Sequence, residues 1–108
     1  MKELNFKKLN GLIPVVVQDN ETNTVLMVGF MNQDAYQKTI ETGYIYFWSR
    51  TRKSLWMKGE TSGNKLKLVQ LFVDCDNDTI LAKAKIEGDG ICCHTGAKDC
   101  FFQEIELG

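Results

Sequence analysis

The sequence predicts a mainly β, α+β domain: a mixed sheet folded over on itself, or a barrel-like core, with one clear helix. Three observations carry that class. Short apolar or alternating runs recur between turn residues along the whole chain. One segment alone has helical spacing between a capping asparagine and a glycine. The 108 residues, 44% hydrophobic and 25% charged, suffice for one modest core and not for two. A single domain over residues 1–108 is expected.

The elements follow in order. Pro14 opens the run Val15-Val16-Val17, at a strand start where a missing N–H is tolerated. Asp19-Asn20-Glu21-Thr22-Asn23 is a turn, and Val25 to Met31 is a second strand, so the pair predicts a hairpin. Asn32 reads as an N-cap, Asp34 puts acid in the first turn, and Gly43 stands at the C-cap position. Between them Ala35, Tyr36, Thr39 and Ile40 recur at helical spacing, which predicts a helix over about residues 33–42. Tyr44 to Trp48 is aromatic and β-branched, hence a strand, and Leu55 to Lys58 is a further short one. Gly59 to Asn64 is a loop. Lys65 to Val73 and Ile80 to Glu87 are strands joined through the polar stretch Asp74 to Asp78. Gly88-Asp89-Gly90 is a turn, and the alternation from Phe101 to Leu107 predicts a closing strand.

Composition excludes several classes of function. A net charge of -1 argues against general nucleic-acid binding, which needs a basic surface to displace counterions. No apolar run is long enough to span a bilayer, and Glu3 and Asn5 interrupt the lysines of the N-terminus without an apolar segment after them. A cytoplasmic protein is expected, whose four cysteines are thiols or metal ligands rather than disulfides.

Three segments carry chemistry. Asp74-Cys75-Asp76-Asn77-Asp78 sets three carboxylates at alternate positions. That is a solvated hairpin tip or a site for a hard cation such as Mg²⁺ or Ca²⁺. It is not an EF-hand, because Thr79 and Lys85 stand where that loop needs glycine and glutamate. In extended chain Asp74 and Asp76 would face one side and Cys75 the other, so one segment could serve two metals.

The second segment is Cys92-Cys93-His94-Thr95-Gly96 with Cys100, and it holds the single histidine. Cys75, Cys93 and Cys100 have no zinc-finger spacing and read equally as small buried side chains. Three thiolates on zinc would leave a fourth position for water, and an adjacent imidazole is a natural proton shuttle. His94 could instead be a fourth ligand that closes a structural site. The third segment runs from Ser49-Arg50-Thr51-Arg52-Lys53 into Trp56-Met57-Lys58-Gly59-Glu60-Thr61-Ser62-Gly63. It is either a solvated basic face or a phosphate cradle. In the cradle Arg50 and Arg52 give bidentate contacts, Lys58 a point charge, and Thr61 and Ser62 hydroxyls.

Four blocks together resemble the phosphoribosyl-AMP cyclohydrolases: Ser49-Arg50-Thr51-Arg52, Trp56 to Gly63, Asp74 to Asp78, and Cys93-His94-Thr95-Gly96 with Cys100. The resemblance runs from Val25-Leu26-Met27 to Phe101. It implies an intertwined homodimer with zinc shared between subunits. It places zinc on Cys75, Cys93 and Cys100, magnesium on Asp74, Asp76 and Asp78, and proton transfer on His94. It leaves Cys92 structural. The implied reaction is the hydrolytic opening of the adenine ring of phosphoribosyl-AMP, the third step of histidine biosynthesis. Arg50, Arg52, Lys58, Thr61 and Ser62 would bind the substrate, with Glu60 assigned a hydrogen-bonding role. The pyrophosphatase domain often fused to such enzymes is not expected within 108 residues. The competing readings are a non-catalytic module with a structural zinc site and another zinc nucleobase hydrolase. The deaminase signature His-x-Glu with Pro-Cys-x-x-Cys is absent.

Overall fold

The computed structural model describes residues 4–108; Glu3, cited against a leader, lies outside them. In chain order the elements are β1 (Ile13–Asp19), β2 (Val25–Met31), α1 (Gln33–Thr42), β3 (Tyr46–Ser49), β4 (Ser54–Met57), β5 (Leu66–Val73) and β6 (Ile80–Ile86). β1 and β2 form the expected hairpin, turning through Asn23 with φ 62°. β5 and β6 form a second hairpin, and β6 docks parallel to β1. The result is a mixed four-stranded sheet in the order β2-β1-β6-β5, with β3 and β4 as a separate two-stranded ribbon.

Alternation places the core. Ile13, Val15 and Val17 on β1, with Ala82 and Ala84 on β6, are fully buried and meet Leu26, Met31, Ile45, Phe47 and Leu66. The ribbon folds over this sheet at two points. On one side Ile45 N–H donates to Leu66 O at 3.0 Å and Leu68 N–H to Gly43 O at 2.8 Å, with Tyr44 bridged to Lys67. On the other, Gly29 of β2 lies against Phe47 of β3, where a Cβ would fall 2.6 Å from the ring. These contacts produce the folded-over, mainly β architecture that the sequence predicts.

The helix has its predicted bounds because its ends are encoded locally. Asn32 Oδ1 accepts from Ala35 N–H at 2.8 Å, and Gly43 takes φ 77° while donating to Thr39 O. Its buried stripe is narrower than the spacing implies. Ala35 and Thr39 face inward, whereas Ile40 is 47% exposed. The Thr39 hydroxyl donates to Ala35 O at 2.8 Å and accepts from Tyr46 N–H at 3.0 Å, so a buried polar group ties α1 to β3.

Two expectations are corrected. Phe101 to Leu107 is not a strand: it forms no ladder with the described residues, and Phe101, Ile105 and Leu107 are 61%, 81% and 96% exposed. Alternation marks a strand only where a sheet edge receives it, and within one chain the last such contact is Cys100 N–H to Leu26 O at 2.8 Å. Asp74 to Asp78 is the expected hairpin connection, but it is closed rather than extended, so the side-to-side alternation that would let it serve two metals does not govern its side chains.

Candidate active site

The aspartate turn is built by its own first residue. Asp74 N–H donates to Thr79 O at 2.9 Å, and Asp74 Oδ1 accepts from the N–H groups of Asp78 and Thr79 at 3.0 and 3.2 Å. Asn77 takes φ 63°, a left-handed conformation that asparagine tolerates. The turn gathers Asp74, Asp76 and Asp78 so that one oxygen of each lies within 4.8 Å of the others. A cation already sits there: Lys8 Nζ lies 3.1 Å from Asp76 and 2.9 Å from Asp78. Asn5 N–H, bound to Asn77 O at 2.7 Å, brings that lysine in. Lys8 is the main cause that holds the Asp78 carboxyl down at about 2. Asn77 Oδ1, in the same turn, is buried without a hydrogen-bond partner among the described residues. Three clustered carboxylates that already attract an ammonium are a donor set suited to Mg²⁺.

The cysteine segment is a tight loop. Cys93 N–H donates to Ala97 O and Cys92 N–H to Lys98 O, both at 3.1 Å, while Gly96 N–H returns to Cys93 O at 3.0 Å. Gly96 takes φ 93°. The loop buries Cys92 and Cys93 and leaves His94 exposed beside them. The Thr95 hydroxyl donates to Cys93 Sγ at 3.1 Å and is the main cause that lowers the Cys93 thiol pKa. Cys100 neighbours Cys93, and burial, followed by the influence of the Cys93 thiol, raises its pKa. Cys92 belongs to the core, and burial pushes its thiol up to about 12, in keeping with a structural residue.

Cys93 and Cys100 are therefore neighbours within one chain. Cys75, exposed in the aspartate turn, does not join them: among the described residues the aspartates are the only three-donor group that converges within 4.8 Å. Sulfur donors suit zinc, and the Cys93–Cys100 pair would supply two of the three sulfurs that an open site needs.

Of the basic segment, Lys58 is near enough to act on these thiols. The Lys58 ammonium acts on Cys92, Cys93 and Cys100, in each case favouring the thiolate. Its own N–H is fixed to Ile45 O at 3.2 Å. Arg50 stacks on Phe30, with the guanidinium carbon 4.0 Å from the ring centroid. Arg52, Glu60, Thr61 and Ser62 are exposed in the turns on either side of β4. The loop from Gly59 to Asn64 is held by Gly63 N–H to Gly59 O at 2.8 Å, and it meets the following turn where Asp89 N–H donates to Asn64 Oδ1 at 2.8 Å. A cleft of about 260 Å³ lined by Asp34, Gln37, Lys38, Glu41 and Leu55 contains none of the candidate residues.

The family model described as Phosphoribosyl-AMP cyclohydrolase matches residues 27–102, the span that holds every one of these side chains except Lys8. The chain belongs to the phosphoribosyl-AMP cyclohydrolase family. It is 49% identical over 105 residues to the Phosphoribosyl-AMP cyclohydrolase of Solibacter usitatus, covering 97% of this chain and 82% of that one. It is 50% identical over 106 residues to the protein of the same name from Listeria innocua, covering 98% and 97%. The Histidine biosynthesis bifunctional protein HisIE of Bacteroides thetaiotaomicron is 54% identical over 104 residues, and this chain spans 50% of its length. Membership of this cyclohydrolase family makes the chain a hydrolase.

Three contacts escape a reading of the sequence. Lys8 meets Asp76 and Asp78 across separations of 68 and 70 residues, which no local pattern encodes. The contact of Arg50 with Phe30 joins the turn after β3 to β2, again beyond any local pattern. Thr95 lies inside the motif, and its place two residues after Cys93 was the one available signal.

Proposed function

We propose that this chain opens the adenine ring of phosphoribosyl-AMP by zinc-dependent hydrolysis, giving the formimino aminoimidazole carboxamide ribotide in the third step of histidine biosynthesis. One juxtaposition supports it most. The exposed His94 directly follows Cys93, whose thiol meets Cys100, in a loop bordered by Lys58. Cys93 and Cys100, with Cys75 from a second copy, would hold the zinc. When bound, zinc polarises water so that it releases a proton near neutral pH.

His94 takes that proton as water adds to the ring carbon bearing the exocyclic nitrogen. It returns the proton as the bond to the ribosylated ring nitrogen breaks. Arg50 and Arg52 bind phosphate through paired N–H donors, and Lys58 adds positive charge between the phosphates and the thiols. Thr61 and Ser62 supply hydroxyls, and Glu60 a hydrogen bond. Asp74, Asp76 and Asp78 hold Mg²⁺ in exchange for Lys8. A homodimer fits two observations: Cys75 is apart from its partners in one chain, and the tail side chains are uncovered. A cytoplasmic location fits the free cysteines, and no described helix is long and apolar enough to cross a membrane.

The test is a near-ultraviolet assay of zinc-loaded protein with phosphoribosyl-AMP. His94→Ala should lower turnover about 10²–10⁴-fold with zinc content and folding unchanged. Loss of zinc and of the fold in that variant would instead identify His94 as a ligand of a structural site. Chelation should abolish turnover and added zinc restore it.

A further inference from the structure

Arg50 is the first residue after β3, and its guanidinium carbon lies 4.0 Å from the centroid of the Phe30 ring on β2. A neighbouring contact brings the two elements together. A Cβ at Gly29 would fall 2.6 Å from the Phe47 ring, so β2 and β3 approach this closely only while residue 29 has no side chain. Phe30 follows Gly29 on β2, and Arg50 lies three residues beyond Phe47, just past the end of β3. Among the described residues the ion pairs belong to Lys8 alone, so no carboxylate holds the Arg50 guanidinium. A ring offers the guanidinium no conventional hydrogen-bond acceptor, so the N–H donors of an arginine held over it stay available to a phosphate. An unsupported arginine in the same turn would have to give up rotamer freedom on binding.

We propose that Phe30 is a positioning residue for substrate: its ring holds the Arg50 guanidinium with the donor edge turned to a phosphate of phosphoribosyl-AMP. The proposal rests on the reading of Arg50 as a phosphate ligand, and a double-mutant cycle separates the two. In steady-state assays of the zinc-loaded enzyme, Phe30→Leu should raise KM about threefold to tenfold, with kcat changed less than about twofold. Phe30→Tyr, which keeps a ring, should restore KM. Arg50→Ala should raise KM further, and Phe30→Leu added to it should change KM no more, because the ring acts through the guanidinium.

If Arg50→Ala leaves KM unchanged, the phosphate reading of Arg50 fails and takes the proposal with it. Suppose instead that Arg50→Ala raises KM. Then a Phe30→Leu effect that is absent, or equally large in the Arg50→Ala background, overturns the proposal and leaves that reading in place. Circular dichroism and thermal unfolding accompany each variant. Should Phe30→Leu fail to fold, Phe30→Met, which keeps apolar bulk without a ring, supplies the same comparison.

Discussion

The four cysteines divide by environment. Cys92 is buried in the core with its thiol pushed up to about 12, so it should resist alkylation at pH 8 until the protein unfolds. Peptide mapping of iodoacetamide adducts, native against denatured, reads this directly, and native labelling of Cys92 would contradict it. Gly59 is a sharper case. It takes φ 83°, and a Cβ there would meet the Asn64 backbone at 2.4 Å, whereas Gly63 has the same φ and open space. Gly63→Ala should cost about 1–2 kcal/mol from the left-handed backbone alone. Gly59→Ala should cost roughly 2–4 kcal/mol, since steric overlap is added to that strain. Urea midpoints of the two variants test the order.

The Lys8 pair gives a pH dependence whose sign follows from the shifts. Asp78 titrates at about 2 instead of the ordinary 3.8, so the stability it contributes is present above 3.8 and is lost as pH falls toward 2. Lys8 is raised above its ordinary 10.5, so its share is intact throughout the acid range. In metal-free protein, the gap in urea midpoint between wild type and Lys8→Met should therefore close as pH falls from 3.8 toward 2. A gap that holds constant through that range would show that the ion pair is not its source.

Among elements, what is locally encoded was legible in the sequence. The β1–β2 hairpin and the helix follow from a turn cluster, an asparagine cap and a glycine cap, each acting within a few residues. Asn32→Ala should cost about 1 kcal/mol by removing the acceptor for Ala35 N–H, with the fold retained. The two failures have one cause. The alternation in Phe101 to Leu107, and the two-faced placing of Asp74, Cys75 and Asp76, describe how side chains would fall if the backbone were extended. Whether it is extended depends on a sheet edge or a turn elsewhere. In the tail no edge receives it within one chain, and in the acidic segment the Asp74 carboxylate captures two N–H groups and closes the turn. Ile40 illustrates the same limit, since helical spacing gives a face but not the width that β3 covers.

At the scale of the molecule, the class of fold was readable and its connectivity was not. The parallel pairing of β1 with β6 brings together residues more than sixty positions apart, and no local pattern records it. The candidate site has the same character. The residue types and the family were visible in four short blocks, yet one chain brings Cys93 to Cys100 and keeps Cys75 in another turn. In the proposed assembly, each zinc site draws Cys75 from one subunit and the other two sulfurs from its partner.

Subunit mixing tests this most directly. Cys75→Ala and Cys93→Ala should each be inactive alone. When the two are unfolded together and refolded, each mixed dimer regains one intact site, so about a quarter of wild-type turnover should return for random pairing of two subunits. Mixed dimers that form, as seen by native mass spectrometry, but remain inactive and zinc-free would contradict a site shared between copies.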